Sequence, residues 1–235
     1  MSHETLIFLH LPKTGGTTVR RALFRGLPGD RRIAVYPGRS VEPGELAEVP
    51  ARSRAKAQVV AGHLSYGAHE AFEQPCRYVT VVRDPLRRVL SQFSAHVRRR
   101  ERRGEQIDDL GIAFEGWITD PRRSGPDANG MTRRISGTEG PLRPRDVEVA
   151  TRHIEGHFAA IATTNAIDAF LDAVAEIGGW KRPRRVVSRN VSDRKIEPGD
   201  LAPKHVERIE TANALDRALY EWVVDRAGDG VHLPG

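Results

Sequence analysis

Thr5-Leu6-Ile7-Phe8-Leu9-His10, running directly into Leu11-Pro12-Lys13-Thr14-Gly15-Gly16-Thr17-Thr18, decides how this chain is read. The first six residues form a short apolar run of strand length. The paired glycines then allow a tight change of direction, and residues 17–27 place Val19, Ala22 and Leu23 on one side at helical spacing. The pattern is strand, tight loop, helix. Such a loop brings backbone N–H groups against an anion at the positive end of the helix, and Lys13 with the hydroxyls of Thr14, Thr17 and Thr18 completes a phosphate-type cradle. The plainer alternative is a glycine-rich turn with Thr17 as a helix cap. The nucleotide-hydrolase P-loop pattern does not fit, because Lys13 precedes the glycines and the glycine expected five residues before a Gly-Lys pair is missing.

Outward from that segment, residues 58–62 and 78–82 are continuous apolar runs of the kind buried on both faces of a parallel sheet. After the second, Asp84 is suited to cap a helix and Pro85 to begin it, with Leu86, Val89, Leu90, Phe93 and Val97 on one stripe. Residues 158–162 suggest a further strand. A helix carrying Ile167, Phe170, Leu171, Val174 and Ile177 follows, and one long helix is expected over residues 205–227. Strands alternating with helices imply an α/β fold, a P-loop-like three-layer sandwich with a mainly parallel central sheet flanked by helices. Residues 1–235 read as a single domain. Within it residues 98–145, rich in Arg, Gly and Pro with short helical pieces, read as a variable, acceptor-facing insert.

A length of 235 residues with 39% hydrophobic content supports one sizeable core, and no apolar run reaches the roughly 20 residues of a membrane span. The first residues lack the basic and apolar segments of a secretory signal, so the expected compartment is the cytoplasm. A single cysteine, Cys76, excludes an internal disulfide and a cysteine-based zinc cluster. Net charge is +6, and residues 77–103 hold nine Arg against Asp84 and Glu101, a surplus of seven. The rest of the chain is close to neutral. Basic character is therefore local, as at an anion-binding region.

Two further segments follow strands. Arg83 emerges where a strand parallel to the first would end, at the carboxyl edge at which α/β sheets bind ligands, and Ser91 and Arg87 lie off the apolar stripe of the next helix. An Arg83–Asp84 surface pair with a solvated Ser91 is the plainer reading. Gly62-His63 closes a third strand, where a histidine titrating near ambient pH could take a proton from a hydroxyl. Taken alone, such a histidine is more often structural or on the surface.

Together the three segments resemble carbohydrate sulfotransferases, the group containing the heparan sulfate 2-O- and 6-O-sulfotransferases and smaller bacterial relatives. The resemblance implies that Pro12, Lys13, Thr14, Gly15, Gly16, Thr17 and Thr18 bind the 5′-phosphosulfate of 3′-phosphoadenosine-5′-phosphosulfate (PAPS). It implies that Arg83 and Ser91, within an RDPxxRxxS-like segment, bind its 3′-phosphate. Lys13 and His63 would be catalytic, Lys13 neutralising charge on the leaving side and His63 acting as base. Weaker similarity continues through residues 129–133, around Asn190 and Val191, and through residues 215–220. The implied reaction moves a sulfuryl group to the hydroxyl of a saccharide, glycolipid or natural product and leaves 3′-phosphoadenosine-5′-phosphate (PAP).

No metal is assigned. The strand before Arg83 does not end in the magnesium-binding Asp of P-loop enzymes, and Asp84 reads as a helix cap. His153 and His157 could share a helix face but lack the zinc-protease order between them. Residues 98–103 could attract an anionic polymer, yet such a run is commonly a solvated helix end, and no nucleic-acid partner is assigned. Trp117, Trp180 and Trp222 read as packing residues. Two other functions remain open from sequence: an ATP-dependent kinase using the same loop, and a non-catalytic polyanion-binding protein. The sequence carries no reading of oligomeric state.

Overall fold

Successive residues of Thr5–Leu9 point to opposite faces of a sheet, and all five are buried. In the computed structural model, which describes residues 4–36, 43–119, 128–181 and 196–234, this strand, β1, lies inside a six-stranded sheet. The other strands are β2 (Arg32–Val35), β3 (Val59–Gly62), β4 (Cys76–Val82), β5 (Phe158–Thr163) and β6 (Val231–His232), in the order β2-β3-β1-β4-β5-β6. All pairings are parallel except that of β5 with β6. The helices are α1 (Gly16–Arg25), α2 (Ala51–Arg54), α3 (Pro85–Glu101), α4 (Leu110–Thr119), α5 (Gly130–Ser136), α6 (Arg145–His157), α7 (Ile167–Ile177), α8 (Pro203–Ala212) and α9 (Ala214–Ala227).

The alternation along β1 sorts the core into layers. Leu6 and Phe8 pack with Val19 and Leu23 of α1 and Phe170 and Val174 of α7, while Ile7 and Leu9 face Ile135 of α5, Ile154 of α6 and Leu219 of α9. Each such large apolar side chain taken from water contributes about 1.5–3 kcal/mol. This is the expected α/β sandwich. A third cluster joins Phe93 and Val97 of α3 to Phe114 and Trp117 of α4 and Ile209 of α8, so α4, from the arginine-rich insert, is anchored by its own apolar face. Trp117 is a packing residue as expected. No helix among the described residues is long and apolar enough to cross a membrane.

The expected helix over residues 205–227 is two helices. Asn213 leaves the helical region at φ −116°, ψ 28°, and its side chain turns to other elements. Its amide nitrogen donates to the Ile209 carbonyl, while its oxygen accepts from the Asn129 N–H and the Arg88 guanidinium. Among the helices and strands named above, four lie outside the sequence reading: β2 at the sheet edge, the short α2, the two-residue β6, and α6 as a full helix.

Arg88 and Asp216, both fully buried, pair at 3.2 Å. Asp216 also accepts from the N–H groups of Met131 and Thr132 and from the Thr132 hydroxyl, so α3, α5 and α9 meet at one carboxylate. Burial pushes this carboxyl up, and Arg88 with the Thr132 and Met131 donors pulls against it. Asn129, in the left-handed region at φ 56°, caps α9 by accepting from the N–H groups of Leu215 and Asp216. These contacts join residues 129–132 to residues 213–216, whereas Asn190 and Val191 lie outside the described residues.

Removing one partner of a buried pair strands the other charge. Asp216→Ala should therefore lower the unfolding free energy by about 3–5 kcal/mol in urea denaturation, and the double change Arg88→Met with Asp216→Leu should recover most of that loss.

Candidate active site

Three strand ends meet along one edge. Leu9 of β1 is in register with Gly62 of β3 on one side and Thr80 of β4 on the other, so His10, His63 and Arg83 emerge side by side from neighbouring strands. Two hydrogen bonds tie these exits together. The His63 ring Nδ1 lies 2.8 Å from the His10 carbonyl, and an Arg83 guanidinium nitrogen donates to the Lys13 carbonyl at 3.1 Å. Lys13, Arg83 and His63, remote in the chain, thus border one region.

The loop after β1 is bent as its glycines require. Gly15 has φ +80°, a conformation L side chains rarely adopt, and a Cβ there would also meet Ile167 Cδ1 at 2.7 Å. Lys13 adopts φ 69°, an uncommon and costly choice for a side-chain-bearing residue, and the bond from Arg83 to its carbonyl helps to hold it. Among the described residues nothing accepts from the N–H groups of Gly15, Gly16 or Thr17, the unsatisfied donors at the start of α1. Thr14 is different. It is fully buried and its hydroxyl donates to the Leu11 carbonyl, so its side chain fixes the bend while its backbone remains near the loop. Thr17 and Thr18 are half-buried in the first turn of α1, and Pro12 is half-buried in the bend before it.

Cations gather here. Burial first, and then the charges of Arg98, Arg99 and Arg83, hold Lys13 below the usual lysine range. Arg83 is lowered by burial and by Arg87, with Asp84 and Glu197 opposing. The Lys13 ammonium has no carboxylate partner among the described residues. Like charges assembled this way favour a multiply charged anion. Of residues 98–103, Arg98 and Arg99 of α3 act on the loop by charge, while Arg100 pairs with Glu105 and residues 101–103 are exposed.

Asp84 behaves as expected of a cap. It accepts from the Arg87 N–H at 2.9 Å, and its second oxygen pairs with Arg217 of α9 at 2.6 Å. The Arg83–Asp84 surface pair considered from sequence is replaced by these two separate partnerships. Ser91 stands six residues along α3 from Pro85, about 9 Å at helical rise, and is half-buried. Among the described residues it makes no hydrogen bond to Arg83 or Lys13.

A carbonyl can only accept, so the His63 Nδ1 carries the proton and Nε2 the basic lone pair. Around His63 lie residues that the sequence reading did not single out. The His10 ring sits 4.6 Å from the His63 ring, and the Tyr36 ring meets His63 edge-on at 5.1 Å. His10 Nδ1 bonds the Tyr36 hydroxyl at 2.7 Å, and the Arg20 guanidinium lies 4.7 Å over the Tyr36 ring. From α5, Arg134 donates to the His63 carbonyl, and its own carbonyl accepts from the Tyr66 N–H. Only the place of His10 next to the glycine loop hinted at this in the sequence. His153 and His157 bond elsewhere, to the Ile135 carbonyl and the Tyr66 hydroxyl.

No family model matches the chain, and no curated protein matches it. Among solved structures it is similar to mouse sulfotransferase SULT7A1 complexed with PAP, at 14% identity and a TM-score of 0.48, over 94% of this chain and 89% of that one.

His10 is buried to 7% exposure, and its pKa falls to about 3, first through burial and then through His63, Arg20 and Arg134. An unfolded chain binds a proton at His10 near pH 6.5, whereas the folded one resists it, so stability is full above that pH and declines as pH falls toward 3. Urea denaturation should show this residue removing about 1.6 kcal/mol between pH 6.5 and pH 5, with a shallower decline in His10→Phe.

Proposed function

We propose that this protein transfers a sulfuryl group from PAPS to the hydroxyl of an acceptor, a saccharide or another small hydroxylated compound. The observation that carries the reading is the joining of three segments by the His63–His10 and Arg83–Lys13 hydrogen bonds, which set a basic nitrogen beside a cationic, N–H-rich loop. The loop suits the phosphosulfate end of the donor, because the open N–H groups of Gly15, Gly16 and Thr17 and the Lys13 ammonium are the donors such an anion needs. Arg83 and Ser91, following the family resemblance, hold the 3′-phosphate. When bound, PAPS supplies the sulfuryl group and departs as PAP.

Each residue then has one task. The Gly15 and Gly16 amides and Lys13 stabilise charge that grows on the oxygen left behind as its bond to sulfur breaks. Thr17 and Thr18 hold the 5′-phosphate together with the backbone of Thr14. His63 Nε2 takes the acceptor's proton as the acceptor oxygen bonds to sulfur, and the resulting imidazolium donates more strongly to the His10 carbonyl. Fixing both reactants along one line supplies the rest of the acceleration. On this reading the arginine-rich insert would select the acceptor.

Incubation with PAPS and a panel of hydroxylated compounds should give a product heavier by one sulfo group. PAP should compete for the site and ATP with magnesium should not; the reverse order would favour a kinase. Lys13→Ala should slow turnover about 10²–10³-fold, measured as PAP release. Arg83→Ala should weaken PAP in calorimetry while leaving adenosine 5′-phosphate little changed, and equal weakening of both would remove Arg83 from the 3′-phosphate. Loss of PAP binding on neutralising residues 98–103 alone would favour the polyanion-binding reading.

A further inference from the structure

The His63 ring is bonded through Nδ1 to the His10 carbonyl. That bond fixes the tautomer, and the plane of the ring is set as well by what packs against it. A proton acceptor in a transfer reaction needs its lone pair held on the reacting hydroxyl, and small misplacements are costly.

Among the described residues two rings pack against it. The His10 ring faces that of His63 at 4.6 Å with a tilt of 37°, and the Tyr36 ring stands against it at 5.1 Å and 82°. His10 is itself locked. Its Nδ1 is bonded to the Tyr36 hydroxyl at 2.7 Å, its ring stacks on Phe8 at 5.6 Å, and its other edge lies so close to Gly16 that a Cβ there would stand 2.0 Å from the ring. One imidazole therefore touches both halves of the site, the glycine loop and the base.

We infer that His10 is a positioning residue: its neutral ring, braced by Tyr36 and Gly16, holds the plane of His63 for proton transfer. This rests on the reading of His63 as the base in sulfuryl transfer. The groups facing His10 agree with a neutral ring. They are His63 at the end of β3, Tyr36 after β2, Arg20 from α1 and Arg134 from α5, and no carboxylate contributes to the shift of its titration. A charged His10 would stand beside the imidazolium that His63 must become and would oppose proton uptake; a neutral one does not.

The arrangement also explains why Gly16 lacks a side chain. Its place is taken by the His10 ring, so the loop that binds an anion and the ring that orients the base fit together as one packed unit.

The test compares wild type, His10→Ala, and the double variant His10→Phe with Tyr36→Phe. The double variant keeps two flat rings but deletes the hydrogen bond and the titratable nitrogen, and removing both partners together avoids an orphaned polar group. His63 is followed by its ring ¹⁵N and ¹H signals through a pH titration, and PAPS consumption is measured in buffer with water as the only acceptor. Calorimetry with PAP reports the donor site. In His10→Ala the His63 midpoint should rise by half a unit or more as water reaches the ring, and the rate constant for PAPS consumption should fall at least tenfold. The KM for PAPS and the PAP affinity should stay within twofold. The double variant should keep the wild-type midpoint and a rate within about threefold.

Two results overturn the inference: an unchanged His63 titration in His10→Ala, or a double variant as impaired as His10→Ala. If His10→Ala does not fold, His10→Gln, which can still bond Tyr36 but offers no ring, takes its place with the same expectations. Failure of the wild type to bind PAP or consume PAPS would remove the transfer reading alone, because the ring titration is read independently of it.

Discussion

The buried pairing of Arg88 with Asp216 is the constraint on which the candidate site depends. An ion pair with no water access is costly unless hydrogen bonds support it, and here Met131 and Thr132 donate to the carboxylate while Asn213 accepts from the guanidinium. Those partners are not incidental. Arg88 belongs to the helix that begins beside Arg83; Met131 and Thr132 begin the helix that carries Arg134 to the His63 carbonyl; Asp216 precedes Arg217, which pairs with the cap at Asp84. One desolvated carboxylate thus aligns the element behind the loop with the element behind the base, although neither Arg88 nor Asp216 is assigned a part in the chemistry.

Much of the fold was legible because its signals are local. The run from Thr5 to His10, the glycine turn and the spacing of Val19, Ala22 and Leu23 need no knowledge of partners, and the cap at Asp84 with Pro85 is likewise written within a few residues. What escaped depends on distance along the chain. Asn213 breaks a helix because Asn129 and Arg88 draw its side chain away, across 84 and 125 residues of sequence. Strand β2 has only four residues and starts with an exposed arginine, too short for alternation to declare itself.

The site divides in the same way. Lys13, Arg83 and His63 were chosen as residues at strand ends, which residue pattern alone can place. His10, Tyr36 and Arg134 were not, since their relevance follows from strand order, with β3 beside β1 and β2 beyond it. Thr14 shows the opposite case: a hydroxyl in a promising loop whose side chain is committed to the bend. In the RDPxxRxxS-like segment the second arginine of the pattern, Arg88, is buried in the core, so that one short motif holds both the strand-end Arg83 and a structural residue.

Because β1 and β3 are neighbours, the spacing between the cationic loop and the histidine is set by the backbone ladder, about 4.8 Å from strand to strand, and not by any surface loop. The helix of the arginine-rich insert, α4, stands on its own apolar cluster against α3, away from that ladder. The insert's helix and the geometry of the strand ends consequently sit on separately supported pieces of the molecule. A lineage could rewrite the first many times while inheriting the second intact.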